Sequence, residues 1–456
     1  VVSVSRRGIS RRTFLASTTA AAGAVVAGGW LASRSYFNVR ENLRLQSLIP
    51  GEPLAVTPNG MLLDTDFPDP FAGGEYLGYL RFEGETGPGT LKPGVRGAEG
   101  HNARRIIDLA SLLEPEGRRT PADRFFIRTE YPDQLQAPPE WTIKLHGEVK
   151  QPHDLPLKKL LPQVESKGPV LLECSGNARE QLRFGLLSVA DWSGIPIEKV
   201  IKLAQPTSKA KAILVNGFDD DSHLPYHPPP YETHSWPTCS WIFTFDQLVG
   251  AGAFLATEMN GQPLPKDQGA PVRLVVPGWY GCTEVKWVNE IKFVDDNQPA
   301  TLQMQEFASR TFQPLHADEM GKGPFGPEQA RDYRPATIDQ AAIPVRVEAW
   351  KLDGKLAYRV VGITWGGPKR TDRLMIRFLR GRLPKFAPVH FCKKTTSNRE
   401  YGIWCHRWEP NRPGYYWIEM RLGERGIPSR KMSTRVKVGL DQEVTYHARA
   451  VQIPAV

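Results

Sequence analysis

Val170-Leu171-Leu172-Glu173 runs directly into Cys174-Ser175-Gly176-Asn177-Ala178-Arg179. The short apolar run bounded by turn residues reads as a buried strand, and Ser-Gly-Asn reads as a sharp reversal at its end. A buried strand end places a side chain accurately. The backbone N–H groups that follow are free to point at a ligand. A cysteine thiolate held there can ligate a soft or high-valent metal. The plain alternative is a small buried hydrophobe, the commonest fate of a lone cysteine.

Outward from this stretch, Trp141 to Gly147 alternates like a strand, and Leu155 to Val164 reads as a short helix interrupted by Pro162. Ile197 to Ala204 reads as a second helix and Asn102 to Leu113 as one more short one. Phe254 to Glu258 and Val272 to Val276 read as strands joined through the turn Asn260-Gly261, and Val285 to Val294 as a third. Helices mixed with largely non-parallel strands predict an α+β class. Residues 36 to 125 are Gly/Pro-rich and read as a segment wrapping over something larger, with Glu83 to Gly89 a loop. Met320 to Pro327 reads as a linker. Beyond it Val345, Val347 and Ala349 alternate with polar or bulky neighbours, Asp353-Gly354 turns the chain, and strands recur at Leu374 to Phe378, Tyr415 to Leu422, Thr434 to Leu440 and Val444 to Val451. Short strands at that spacing predict a β-sandwich.

Composition narrows the function classes. The chain has 456 residues, 40% apolar and 23% charged, with 41 Gly and 40 Pro. It is too apolar for a disordered chain, and five cysteines are too few for a disulfide-built scaffold. The net charge is +9, of which Arg6, Arg7, Arg11 and Arg12 contribute four. The remaining bias of about +5 is spread over a large surface and does not argue for nucleic acid. There is no GxGxxG or GxxxxGK[ST] stretch and no Cys-x-x-Cys-His.

Ser10-Arg11-Arg12-Thr13-Phe14-Leu15 precedes a mild apolar stretch of 19 residues, Phe14 to Ala32. Paired arginines before such a stretch are similar to a twin-arginine export signal. The expectation is a leader over residues 1–32, export to the bacterial periplasm in folded form, and no stable membrane span once the leader is cleaved. An N-terminal anchor is the alternative.

Three motifs carry a family resemblance. Leu172 to Arg179 resembles the molybdenum-ligand loop of the sulfite oxidase family of molybdopterin-dependent oxidoreductases. Glu258-Met259-Asn260-Gly261-Gln262-Pro263-Leu264-Pro265, with Gly269-Ala270-Pro271-Val272-Arg273 and Val276-Pro277-Gly278, resembles the second family signature. Val285-Lys286-Trp287 resembles the third, and the resemblance spans roughly residues 120 to 450. It implies a sulfite-oxidase-like molybdopterin-binding domain followed by an immunoglobulin-like β-sandwich. The expected division is a wrapping segment at 33–120, a catalytic domain at 121–300, a linker at 301–340 and a dimerisation domain at 341–456.

The resemblance further implies that Cys174 ligates molybdenum held by one molybdopterin. Arg128, in Phe125-Phe126-Ile127-Arg128-Thr129, resembles a cofactor-contacting position. Gly176, Asn177, Arg179, Arg273 and Lys286 are the other cofactor-binding candidates, arginine suiting bidentate phosphate contacts and lysine a point charge. Arg273 lies inside an apolar strand, so its charge needs a carboxylate or a phosphate. Trp279, Tyr280 and Trp287 either line the pocket or pack. Cys239 and Cys282 lie in site-proximal loops. Cys392 and Cys405 either pair across a hairpin or remain buried thiols.

The departures bear on substrate. Sulfite oxidases carry two arginines after the Gly-Asn, where this chain has Ala178-Arg179. Only lysines occupy the interval where their upstream arginine falls, and Ala212 stands where a histidine is usual. No tyrosine occupies the position over the metal; Tyr231 falls too early, and His234 and Trp236 are the candidate catalytic occupants. The leading expectation is oxidation of sulfite or a related sulfur oxyanion, with electrons passed to a separate carrier such as a c-type cytochrome. The alternative is S-oxide or N-oxide reduction on the same fold, and the remote one a cofactor-free secreted interaction protein. A homodimer is expected from the family.

Overall fold

The computed structural model describes residues 48, 53, 69–80, 82, 104–113, 118–128, 140–177, 184–217, 239–311, 330–368, 373–380, 384–393, 398–411, 413–422, 429–438 and 449–453. The expected leader, the Glu83 to Gly89 loop, the Met320 to Pro327 linker and the candidates Arg179, His234 and Trp236 lie outside the described residues.

The molecule is mostly sheet with few helices. In the first half, Glu165–Glu173, Leu187–Pro196, Phe254–Met259 and Gln262–Pro263 form one antiparallel sheet, with Arg273–Val275 added on Phe254–Met259. Glu165–Glu173 is its edge strand. A second sheet is ordered His153–Pro156, Thr142–Gly147, Val288–Val294, Ala212–Gly217 and Ser240–Thr244. Val288–Val294 with Thr142–Gly147 is parallel. The other pairings are antiparallel, as the non-parallel strand pattern predicts.

Local chemistry explains the elements that carry the site. Ile197–Ala204 buries Ile197, Val200 and Ala204, spaced on one helical face, and ends at Gln205 in the left-handed region. Phe245–Ala251 opens on a capping box between Thr244 and Gln247 and closes on Gly252 at φ 64°. Asn260 and Gly261 sit at φ 52° and 73°, the two positive values a tight hairpin turn demands. They join Phe254–Met259 to Gln262–Pro263, so the strand expected from Val272 is the third element of that run rather than the second.

Two helical expectations change. Leu155 to Val164 is not an α-helix: His153–Pro156 is a strand, and Leu157–Lys159 and Leu161–Gln163 are separate 3₁₀ turns. Pro156 and Pro162 lack the N–H that an α-helical ladder needs. Leu155, Leu157 and Leu160 still reach the core. Asn102 to Leu113 divides into the strand Arg104–Arg105 and a 3₁₀ helix, Leu109–Leu113.

The C-terminal part is two facing five-stranded sheets. One is ordered Glu75–Leu80, Ala341–Leu352, Lys355–Trp365, Gly402–Trp408 and His390–Lys393. The other is Ala387–Pro388, Leu374–Leu379, Gly414–Leu422, Ser429–Val438 and Arg449–Ile453. Asp353 and Gly354, at φ 49° and 77°, form the expected hairpin turn. Glu75–Leu80 completes the edge of the first sheet by pairing with Ala341–Leu352, although the sequence groups that segment with the catalytic part.

One buried apolar core runs continuously from Leu172, Trp192 and Phe254 through Ile338 and Ile343 to Trp404 and Ile418. Polar ties reinforce it. Tyr401 Oη donates to Leu112 O at 2.6 Å, and Arg119 pairs with both Asp191 (2.9 Å) and Glu400. No helix among the described residues is long and apolar enough to cross a membrane.

Candidate active site

Cys174 follows the last residue of Glu165–Glu173 and is half-buried. Its N–H donates to Leu186 O at 3.0 Å, and the N–H of Asn177 returns to Cys174 O at 2.9 Å, so the loop closes as a tight reversal. Asn177 is buried and locks that reversal from inside. Its Oδ1 accepts from Leu186 N at 2.9 Å, and its Nδ2 donates to Glu173 Oε1 at 3.0 Å. Glu173, also buried, accepts a second hydrogen bond from Trp365 Nε1 at 2.8 Å. Arg310 Nη2 donates to Ser175 O. Gly281 lies against the other side: a Cβ there would come 3.2 Å from Glu173 O and 3.5 Å from Cys174 Cα.

Burial pushes the Cys174 thiol above its ordinary pKa, and the Glu173 carboxylate adds to that. Arg128, the Gly176 N–H and Arg310 pull it down. Burial disfavours the free thiolate there. Among the described residues no three His, Cys, Asp or Glu side chains converge as a metal-binding group. Cys282 is a second buried thiol nearby, pushed up to about 12 by burial and hydrogen-bonded to the Ser175 hydroxyl. Cys239 lies outside any disulfide, and Cys405 is disulfide-bonded.

Backbone and Cβ contacts bring three of the expected cofactor residues, Arg128, Arg273 and Lys286, around one turn. Lys286 Nζ donates to Asp267 O at 3.1 Å and to Arg128 O at 3.5 Å, and stands 4.6 Å from the Trp287 ring centroid. Gly269, at φ 101°, packs so closely that a Cβ would lie 3.0 Å from the Cβ atoms of both Arg273 and Lys286. Gln268 Nε2 donates to Phe126 O at 2.9 Å, tying the same turn to the Arg128 strand.

Arg273 is 5% exposed and meets the expected requirement for a partner with a carboxylate, Glu284 Oε2 at 3.9 Å. Its Nη1 also donates to Gln268 O and Oε1 at 3.2 and 3.4 Å, and its Nη2 to Glu284 O at 3.3 Å. Burial lowers the Arg273 pKa and raises that of Glu284 to about 8, so desolvation outweighs the pairing for both groups. A carboxyl that is mostly protonated near neutral pH leaves the guanidinium incompletely neutralised. Arg273 Nε and Glu284 Oε2 have no hydrogen-bond partner among the described residues. A buried donor of this kind suits an anionic group such as a phosphate.

Trp279 and Tyr280 are both buried. Trp279 lines a cavity of about 510 Å³ between the two halves, with Leu171, Ile338 and Arg399. Tyr280 is buried, and its hydroxyl donates to Asp339 Oδ2 at 3.1 Å. Trp287 packs in the core and donates to Lys266 O at 3.1 Å. Sequence reasoning missed Arg310, Glu284 and Trp365. Glu284 had a signal, since a buried arginine calls for a nearby acid. Arg310 and Trp365 meet the loop from 135 and 192 residues away, and no local pattern marks them.

Residues 129–302 match the oxidoreductase molybdopterin-binding domain. The chain is 35% identical over 156 residues to the protein-methionine-sulfoxide reductase catalytic subunit MsrP of Xanthomonas axonopodis pv. citri, covering 34% of this chain and 45% of that protein. It is 27% identical over 305 residues to the NADPH nitrate reductase of Aspergillus niger, covering 62% of this chain and 33% of that one. The chain thus spans about half the length of the first relative and a third of the second. In fold it is similar to the sulfane dehydrogenase SoxCD of Paracoccus pantotrophus, with a TM-score of 0.56 and 16% identity over 88% of this chain and 95% of that chain.

Proposed function

We propose that this chain, a molybdopterin-binding oxidoreductase of the sulfite oxidase family, transfers an oxygen atom, and that it works as an S-oxide reductase. Support for the direction comes from the 35% identity, over 156 residues, to a methionine-sulfoxide reductase subunit. It comes also from Ala178, which replaces the first of the paired arginines that an anionic substrate would need. This puts the reductase reading ahead of the sulfite oxidation expected from the motifs.

The residues present fit the cofactor. Cys174 would hold the molybdenum through its thiolate. Arg128, Arg273 and Lys286 would meet the pterin and its phosphate, the partnerless Nε of Arg273 supplying one donor. Gly176 and Asn177 shape the reversal, and Arg179 is a further cationic candidate. When bound, the cofactor supplies two-electron oxygen-atom exchange. The protein orients Cys174 through Asn177 and Leu186, excludes water behind the loop with Trp365 and Tyr280, and sets the local field with Arg128 and Arg310. His234 and Trp236 are the candidates for facing the substrate, with His234 suited to passing a proton.

For an S-oxide, two electrons and two protons release the sulfide and one water. The electrons would come from a separate carrier, a c-type cytochrome or another periplasmic donor. Export through the twin-arginine leader and a homodimer built on the C-terminal sheets complete the proposal. The direct test offers the loaded protein methionine sulfoxide with a reduced viologen, and separately sulfite with ferricyanide. Viologen oxidation at least tenfold faster than ferricyanide reduction is expected. Efficient sulfite turnover with no S-oxide reduction would reverse the assignment.

A further inference from the structure

Glu165–Glu173 is the edge strand of its sheet, and an uncovered edge leaves backbone groups unpaired. Here that edge is met at Leu171, and tertiary contacts also reach the Glu173 side chain and the Ser175 carbonyl beyond the strand. Leu171 N donates to Arg399 O at 2.7 Å. Glu173 Oε2 accepts from Trp365 Nε1 at 2.8 Å. Ser175 O accepts from Arg310, which pairs with Asp339 Oδ2 at 3.9 Å and stands 4.8 Å from the Tyr280 ring centroid. Arg399, Trp365 and Asp339 belong to the C-terminal strands and their approaches. Three contacts therefore flank Cys174 along the chain.

The central contact carries the most consequence. Glu173 is fully buried and Trp365 is 3% exposed. One carboxylate oxygen takes the C-terminal indole, and the other takes Asn177, whose own Oδ1 holds Leu186 N. Trp365, Glu173, Asn177 and Leu186 form one relay that ends on the backbone pairing of Cys174. A buried carboxylate stripped of one donor would turn toward water or toward Asn177, and the reversal would move with it.

We propose that Trp365 is a positioning residue for the cofactor loop: through Glu173 the C-terminal domain sets where the Cys174 sulfur stands. The proposal rests on the reading of Cys174 as the metal ligand. It gives the C-terminal domain a part in the site beyond assembly. Glu173 matters here by its geometry, one oxygen accepting from each donor. Glutamine at 173 accepts from one and faces the other with an amide.

The test uses full-length protein loaded in a host that makes the cofactor. Trp365→Phe keeps the ring and removes the donor. Its Mo(V) electron paramagnetic resonance spectrum should shift in g values relative to wild type, and molybdenum retention should fall on the order of tenfold. Glu173→Gln should shift the spectrum the same way. The double variant should be no worse than Glu173→Gln alone, since its amide then faces no indole. A wild-type spectrum and full molybdenum in both single variants, with only a lowered melting temperature, would overturn the positioning role. Additive losses in the double variant would do so as well. Cys174→Ser distinguishes the underlying reading: an unaltered spectrum there would remove the ligand assignment itself. If Trp365→Phe does not fold, Glu173→Gln reports on the same hydrogen bond from its other end.

Discussion

Glu284 Oε2 lies 3.9 Å from the Arg273 guanidinium in a pocket that buries both groups. Neither charge is well satisfied. Glu284 is pushed up to about 8 by burial, so the folded protein binds a proton that the unfolded chain releases near pH 4.5. Stability should therefore fall as pH rises from about 5 toward 8, because the folded state holds more protons across that window. Melting temperatures of cofactor-free protein across the window should show this slope, and Glu284→Gln should flatten it. An identical slope in the variant would place the titration elsewhere.

Gly269 separates Arg273 from Lys286 at φ 101°, where a Cβ would press on both. Gly269→Ala should cost about 1–3 kcal/mol from backbone strain alone. It should also spread the two cations and reduce cofactor retention. Denaturant unfolding and molybdenum content measure the two effects separately. A stable variant with full cofactor would remove Gly269 from the cradle.

Lys286 is 8% exposed and gives its hydrogen bonds to the carbonyls of Asp267 and Arg128. Lys286→Met preserves the apolar stem but strands those acceptors, a loss of about 1–3 kcal/mol. Cofactor retention should fall more than stability, and retention unchanged from wild type would confine the residue to packing.

Leu172 is 1% exposed on the strand that delivers Cys174. Leu172→Ala should destabilise by about 2–5 kcal/mol through the cavity it leaves. Urea unfolding checks this, and a loss below 1 kcal/mol would mean that the strand end repacks readily.

The Cys174 reversal was legible because its signals are local: an apolar run, then three turn residues. The hairpins at Asn260-Gly261 and Asp353-Gly354 were legible for the same reason, since both residues of each turn take positive φ. The convergence of Arg128, Arg273 and Lys286 came from a resemblance rather than from spacing. Leu155 to Val164 misled because leucines at 155, 157 and 160 imitate a helical face, while two prolines prevent the α-helical ladder. Leu187–Pro196 escaped notice because its Ser, Asp and Gly break any alternation, although it pairs with two neighbouring strands along most of its length. Trp365 and Arg310 were illegible because the contacts that matter are tertiary, and their sequence neighbourhoods carry no trace of the loop they touch.

Molybdenum per chain, compared between full-length wild type and Cys174→Ser made in a host that supplies the cofactor, tests the ligand assignment most directly. Near one molybdenum per wild-type chain, with a large loss in the folded variant, is the predicted result. Equal molybdenum in both proteins, or none in wild type beside a control enzyme that loads normally, would contradict it.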